Sequence, residues 1–257
     1  MTMQKRFIYA HTRLQSRHGM RPDQRTWQLV ESQRDLANYL QSARQTPLQS
    51  WVTGLQSTDH HQLIEATLIQ QYRDYIQDVA RWIPAEWRAA VRWVARLPYL
   101  PAIHYLASGK TPYGWMMEDL ELKPYISINP EQRFDLLLQS PYGPLVVAWQ
   151  QGKSMVTAWL EIWQSLWPAT RRSHRQPMYE LIRVVTDHLA AFQQLALTAT
   201  WREREKLAYT LTMMFRRYAF QPVAVFVHLL LVALDVERLR GAIVRRSVFP
   251  GYKGQTV

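Results

Sequence analysis

The segment QPVAVFVHLLLVALDVERLRGAIVRR, residues 221–246, is apolar from Val223 to Leu234 with one interruption, His228. Such a run is too long for an ordinary buried strand. It is also shorter than the roughly 20 apolar residues needed to span a bilayer. It predicts a central core helix, and a helix apolar all round needs other helices around it. The chain supplies them. Phe7, Ala10 and Leu14 form one face of a helix from Lys5 to about Arg17, with Tyr9, Arg13 and Arg17 in an adjacent row at i+4 steps. Gly19 and Pro22 stop it. A second helix from about Asp23 buries Trp27, Val30, Leu36 and Leu40, with a break near Ser32.

From Thr58 the helical pattern strengthens. Thr58 or Asp59 can cap a helix carrying Leu63, Leu68, Tyr72, Ile76 and Val79, which ends before Pro84. Pro84 suits the first turn of the next, PAEWRAAVRWVARL, with Trp87, Val91 and Val94 on one face and Trp93 flanking it. The stretch PLVVAW passes for a strand, but its flanks favour a buried helix. SMVTAWLEIWQSLW, PMYELIRVVTDHLAAFQQLA and WREREKLAYTLTMMFRRYA all read as helices. Only nine glycines serve 257 residues, few for a fold of hairpins. The expected fold class is therefore all-α, a multi-helix bundle. Its expected form is one domain, residues 1–257, with room for two lobes joined by an irregular connector near 98–130. That connector holds Pro98, Pro101, Pro112, Pro124 and Pro130 with Gly109 and Gly114.

The residue types exclude several chemistries. There is no cysteine, hence no disulfide, thiolate nucleophile or thiolate zinc site. Gly152-Lys153-Ser154 suggests a phosphate loop, but the glycine required five residues earlier is Val147. His61 and Glu65 sit at i, i+4 without a third ligand, so a surface helix start is the better reading. Glu118, Asp119 and Glu121 cluster in the irregular segment and could do acid–base work, the one enzymatic alternative. His228 reads as a buried histidine bonded to a backbone carbonyl. No nucleophile elbow, zinc-protease helix or dinucleotide fingerprint is present. No cofactor or metal is expected.

What remains is binding. The formal net charge of +11 favours anionic partners. The charge is scattered, and no zinc finger or RNA-binding aromatic motif accompanies it, so a nucleic-acid partner is not expected. Arg171, Arg172 and Arg175 form the densest cluster, and Arg245 and Arg246 another pair. Trp159, Trp163 and Trp167 share one helical stripe, which reads as core first and as a hot-spot surface second. The candidate partner-binding residues are thus Arg13, Arg17, Trp159, Trp163, Trp167, Arg171, Arg172, Arg245 and Arg246.

Three stretches resemble the C/d subunit family of V-type and A-type ATPases. YAHTRLQSRHGMRP is similar to that family's opening helix. In HQLIEATLIQQYRDYI, Ile64, Glu65 and Leu68 match its second helix. In FQPVAVFVHLLLVALDVERLRGAIVRR, Glu237, Leu239, Arg240 and Ile243 follow the family's order of acidic residue and Leu- or Ile-Arg helix end. The chain is shorter than usual for the family, and WVARLPYLPAIHYLASGK replaces its Asp/Asn-rich segment. The resemblance implies a non-enzymatic connector between a central stalk and a membrane rotor ring. Its partners would be protein subunits of a membrane complex, with contact to acidic lipid headgroups, and its place cytoplasmic and peripheral to the membrane. A divergent member serving a different membrane transport complex is the alternative. No apolar core opens the chain, so no signal peptide is expected, nor is any transmembrane segment.

Overall fold

The computed structural model describes residues 3–193 and 200–248. Their regular secondary structure is all helical, with no strand among the described residues. The chain divides into two compact units, residues 1–88 with 169–257, and residues 89–168. The unit boundaries fall at 88/89 and 168/169, so the proline-rich stretch 98–130 lies inside the second unit and is not a connector between lobes. The reason is local. Several of its prolines start helices or 3₁₀ turns, where a missing N–H costs nothing.

In the first unit, α1 (Met3–Gly19) buries Phe7, Ala10 and Leu14 as the periodicity predicts. The second expected helix is two, α2 (Gln24–Glu31) and α3 (Leu36–Arg44), broken at Ser32. Each is capped by an aspartate, Asp23 accepting from the Thr26 N–H and Asp35 from that of Asn38. A short turn, α4 (Gln49–Val52), leads to α5 (His61–Trp82), whose buried face is Ile64, Leu68, Tyr72, Ile76 and Val79. Its N-cap is His60 rather than Thr58 or Asp59. Asp59 instead accepts from the Gln56 N–H and closes the preceding turn.

The remaining helices of this unit are α12 (Arg172–Gln193), α13 (Thr200–Arg217) and α14 (Pro222–Val248). The last residues of the helix expected from Pro177, 194–196, lie outside the described residues. Helix α14 packs against α1, α3, α5, α12 and α13. Val223 to Leu229, Leu231 and Val232 are buried all round it, as a central helix requires. Its second half is tied to the N-terminal helices by arginines. Arg21 forks onto Asp235 at 2.6 and 3.0 Å, and Arg238 forks onto Glu31 with both bonds at 2.7 Å. Arg240 reaches Glu65 at 3.1 Å.

In the second unit, α6 (Arg88–Val94) and α7 (Leu100–Ala107) are followed by the short α8 (Gly114–Glu118), then α9 (Pro130–Leu138), α10 (Gly143–Gln150) and α11 (Met155–Ser165). PLVVAW is helical, as its flanks indicate. Helix α7 packs on α9, α10 and α11. Gly152, at φ 83°, ends α10 in the left-handed conformation that favours glycine. The Gly152-Lys153-Ser154 stretch is thus a helix break, with Lys153 paired to Glu161. No helix among the described residues is long and apolar enough to cross a membrane.

Candidate functional site

The structure gathers two of the sequence's candidate residues into one arrangement. Helix α1 places Arg13 and Arg17 one turn apart, and α5 runs beside it. The Arg13 guanidinium lies 5.5 Å from the Tyr9 ring centre and 4.6 Å from that of Trp82. Arg17 lies 4.4 Å from Trp82 and 4.7 Å from Tyr75. Tyr75 in turn packs 5.8 Å from Trp51. Rings and guanidiniums therefore form one ladder: Tyr9, Arg13, Trp82, Arg17, Tyr75, Trp51. Each such contact contributes on the order of 0.5–1 kcal/mol near a surface. Arg13 also donates to the Tyr9 hydroxyl. Arg17 approaches Asp78 at 3.6 Å, and Asp78 is shared with Arg81 at 3.2 Å. Trp82 and Tyr75 are not among the residues singled out in the sequence. The signal was there, since Tyr75, Asp78 and Trp82 fall at i, i+3, i+7 on one face of α5.

Beneath the ladder lies a buried histidine cluster. His228 Nε2 is 2.6 Å from the Tyr75 hydroxyl, so a phenol is its partner and not the backbone carbonyl expected from sequence. The His18 ring stacks on Phe215 at 4.3 Å and lies 6.0 Å from His228. His11 stacks on Phe215 and packs at a tilt against Phe220. Burial disfavours their charged forms, with the cations of Arg17, Arg21 and Arg216 adding to it. His18 is lowered to about 4 and His228 to about 3, and His11 is lowered by burial alone.

The other candidates separate. Trp159, Trp163 and Trp167 are all under 8% exposed and form a column with Trp93, at centroid distances of 6.4, 5.9 and 5.1 Å. The stripe is core, and as a docking surface it is corrected: a 4-residue step turns Trp159 and Trp163 inward on α11, and the turn after the helix brings Trp167 against Trp163. Trp93, expected to flank its helix face, is buried there and donates to the Trp159 carbonyl at 3.2 Å.

Arg246 is also not a surface residue. Its guanidinium donates to the carbonyls of Glu31, Gln33 and Ala242 and lies 4.2 Å from the Tyr39 ring centre. It satisfies carbonyls at the end of α2, where a cation complements the helix dipole. Arg245 is exposed, as are Arg171 and Arg172 at the start of α12.

The carboxylate cluster is similarly taken up by structure. Asp119 accepts from the Tyr99 hydroxyl and the Glu121 and Leu122 N–H groups. Glu121 accepts from Tyr142, whose own phenol is pushed up by burial and by that carboxylate. Glu118 is exposed. Glu65 pairs with Arg240 and does not join His61 in a ligand set, and no group of three or more metal-ligating side chains occurs among the described residues. No protein-family model, curated protein or solved structure matches the chain.

The charge is divided between the units. The first holds 25 of the 31 basic residues against 14 acidic ones, and the second holds six of each. The whole net charge of +11 therefore belongs to the first unit.

Proposed function

We propose that the protein is a non-enzymatic helical adaptor that docks through its first unit to an acidic face of a membrane-bound, ion-linked complex. Its most specific form is the connector between central stalk and rotor ring, as the likeness to the C/d subunits of V-type and A-type ATPases implies. The observation that carries the reading is the charge partition. A net +11 confined to one unit, with the other neutral, is a field that orients the molecule toward an acidic surface and raises the rate of encounter. The involvement of Asp119 and Glu121 in packing hydrogen bonds argues against their use as acid and base. A contact with acidic lipid headgroups fits the same charge and needs no spanning helix.

The test is affinity purification of the tagged full chain from detergent-solubilised membranes, with identification of what co-purifies. Recovery of ring and stalk subunits supports the connector. Recovery of a different transport complex supports the divergent adaptor. Recovery of no membrane protein, together with catalytic turnover that is lost in Glu118→Gln, overturns the reading.

A further inference from the structure

The ladder on α1 and α5 leaves a particular set of donors unspent. Arg13 makes no ion pair among the described residues, and one of its nitrogens is used by Tyr9. Arg17 reaches the carboxylate of Asp78 at 3.6 Å, which Arg81 shares, and hydrogen-bonds the Tyr75 side chain. A guanidinium carries five N–H donors in a planar fork. Here the rings cover guanidinium faces, so what is left to a ligand is the edges. Because the rings hold both side chains in place, less rotamer freedom remains to be lost on binding.

This narrows the ligand. The faces of Trp82 and Tyr75 are already in contact with guanidiniums, which leaves poor ground for the base stacking by which aromatic residues hold single-stranded nucleic acid. Fork edges match the two oxygens of a carboxylate or phosphate. Arg13 and Arg17 are four residues apart on one helix, an axial step of about 6 Å. Two carboxylates at i and i+4 on another helix have the same step. Beside them in the same row, Tyr9 is 58% exposed, a margin that a protein surface covers and a diffuse layer of anions does not.

We infer that this face of α1 docks an acidic helix of a partner protein. Carboxylates one turn apart on that helix accept from Arg13 and Arg17, and Tyr9 packs against its apolar side chains. The inference rests on the adaptor reading and gives it a contact.

The probe is a stapled helical peptide with glutamates at i and i+4 beside two leucines, compared with an isomer of the same composition whose glutamates lie on opposite faces. Binding to the full chain is measured by fluorescence anisotropy. The paired peptide is expected to bind more tightly than the isomer. Arg13→Gln and the double variant Arg13→Gln/Arg17→Gln should weaken it by roughly tenfold or more, and Arg13→Lys should weaken it too, because an ammonium lacks the fork. Arg34→Gln, the same charge change at another exposed site, should leave it unchanged. Thermal melts confirm that each variant folds, and Arg13→Gln, fully on the surface, serves if the double variant does not.

Equal binding of the two isomers, or equal loss from Arg34→Gln, overturns the site and reduces it to overall charge. Tighter binding of anionic vesicles or of an oligonucleotide, lost in the same variants, overturns the helix as occupant. The adaptor reading is tested separately. If the membrane complex co-purifies with the double variant as with the native chain, the ladder fails and the adaptor stands. If the paired peptide binds through the ladder but no membrane complex co-purifies, the adaptor fails and the site stands.

Discussion

Arg245 and Arg246 carry the same charge at adjacent positions of α14 and meet different surroundings. Arg246 is 7% exposed, with its donors on three backbone carbonyls. Removing it leaves those carbonyls unmet and the face of the Tyr39 ring against an emptied interior. Arg246→Ala should therefore destabilise the fold by about 2–4 kcal/mol, from unmet hydrogen bonds plus lost packing. Arg246→Lys should recover only part of this, since one ammonium cannot span three acceptors set around a fork. Arg245→Ala should stay within about 0.5 kcal/mol of the native chain. Urea unfolding followed by circular dichroism checks all three, and equal effects at 245 and 246 would contradict the assigned geometry. Helical periodicity placed both arginines near a helix end, but it could not separate them. Which one turns inward depends on α2, more than 200 residues away in the chain.

Two helices in the second unit meet at a corner too tight for an ordinary side chain. At the α9–α10 corner a Cβ on Gly143 would lie 2.1 Å from the Leu138 carbonyl oxygen, a backbone atom that cannot swing aside. Gly143→Ala should cost about 2 kcal/mol or more and lower the melting temperature, and an unchanged melt would show the corner to be looser than drawn. Further along, α11 depends on its indoles. Trp163 touches Trp159 and Trp167 in the interior column, so Trp163→Ala should cost about 3–5 kcal/mol. A docking hot spot would instead leave stability intact and weaken a complex. Calorimetry of the isolated chain distinguishes the two outcomes. The i+4 spacing of these tryptophans was legible as a stripe. Its direction was not, because a stripe of large apolar rings suits a core and an interface equally.

The molecule as a whole should lose stability in mild acid. His18 and His228 hold their neutral forms down to about pH 4 and 3, against 6.5 when unfolded. Above pH 6.5 both states are neutral and these residues cost nothing. As pH falls below 6.5, the unfolded chain takes up protons that the folded chain refuses, and stability drops by at most about 1.4 kcal/mol per pH unit for each histidine. His11, also lowered, adds in the same direction. Burial outweighs the Arg21 fork and raises Asp235, which acts with the opposite sign. The melting temperature should accordingly fall between pH 7 and pH 5, and His18→Gln/His228→Gln should flatten that dependence. A native melting temperature equal at the two pH values would refute the account.

The amino-acid sequence alone determined that the described chain is helical, where most helices start and stop, and that the molecule is strongly cationic. Those properties are local or additive: a proline at a first turn, an aspartate before an N-terminus, apolar residues at i, i+3, i+7, a sum of charges. Only the tertiary structure decided that 98–130 belongs within one unit, that the tryptophan stripe faces inward, and that Arg246 is buried while Arg13 and Arg17 stand against Trp82 and Tyr75. Each depends on which helix lies beside which, and the pairs concerned are far apart in the chain. Spacing within a single helix fixes which residues share a face, and it takes the neighbouring helix to decide what that face meets.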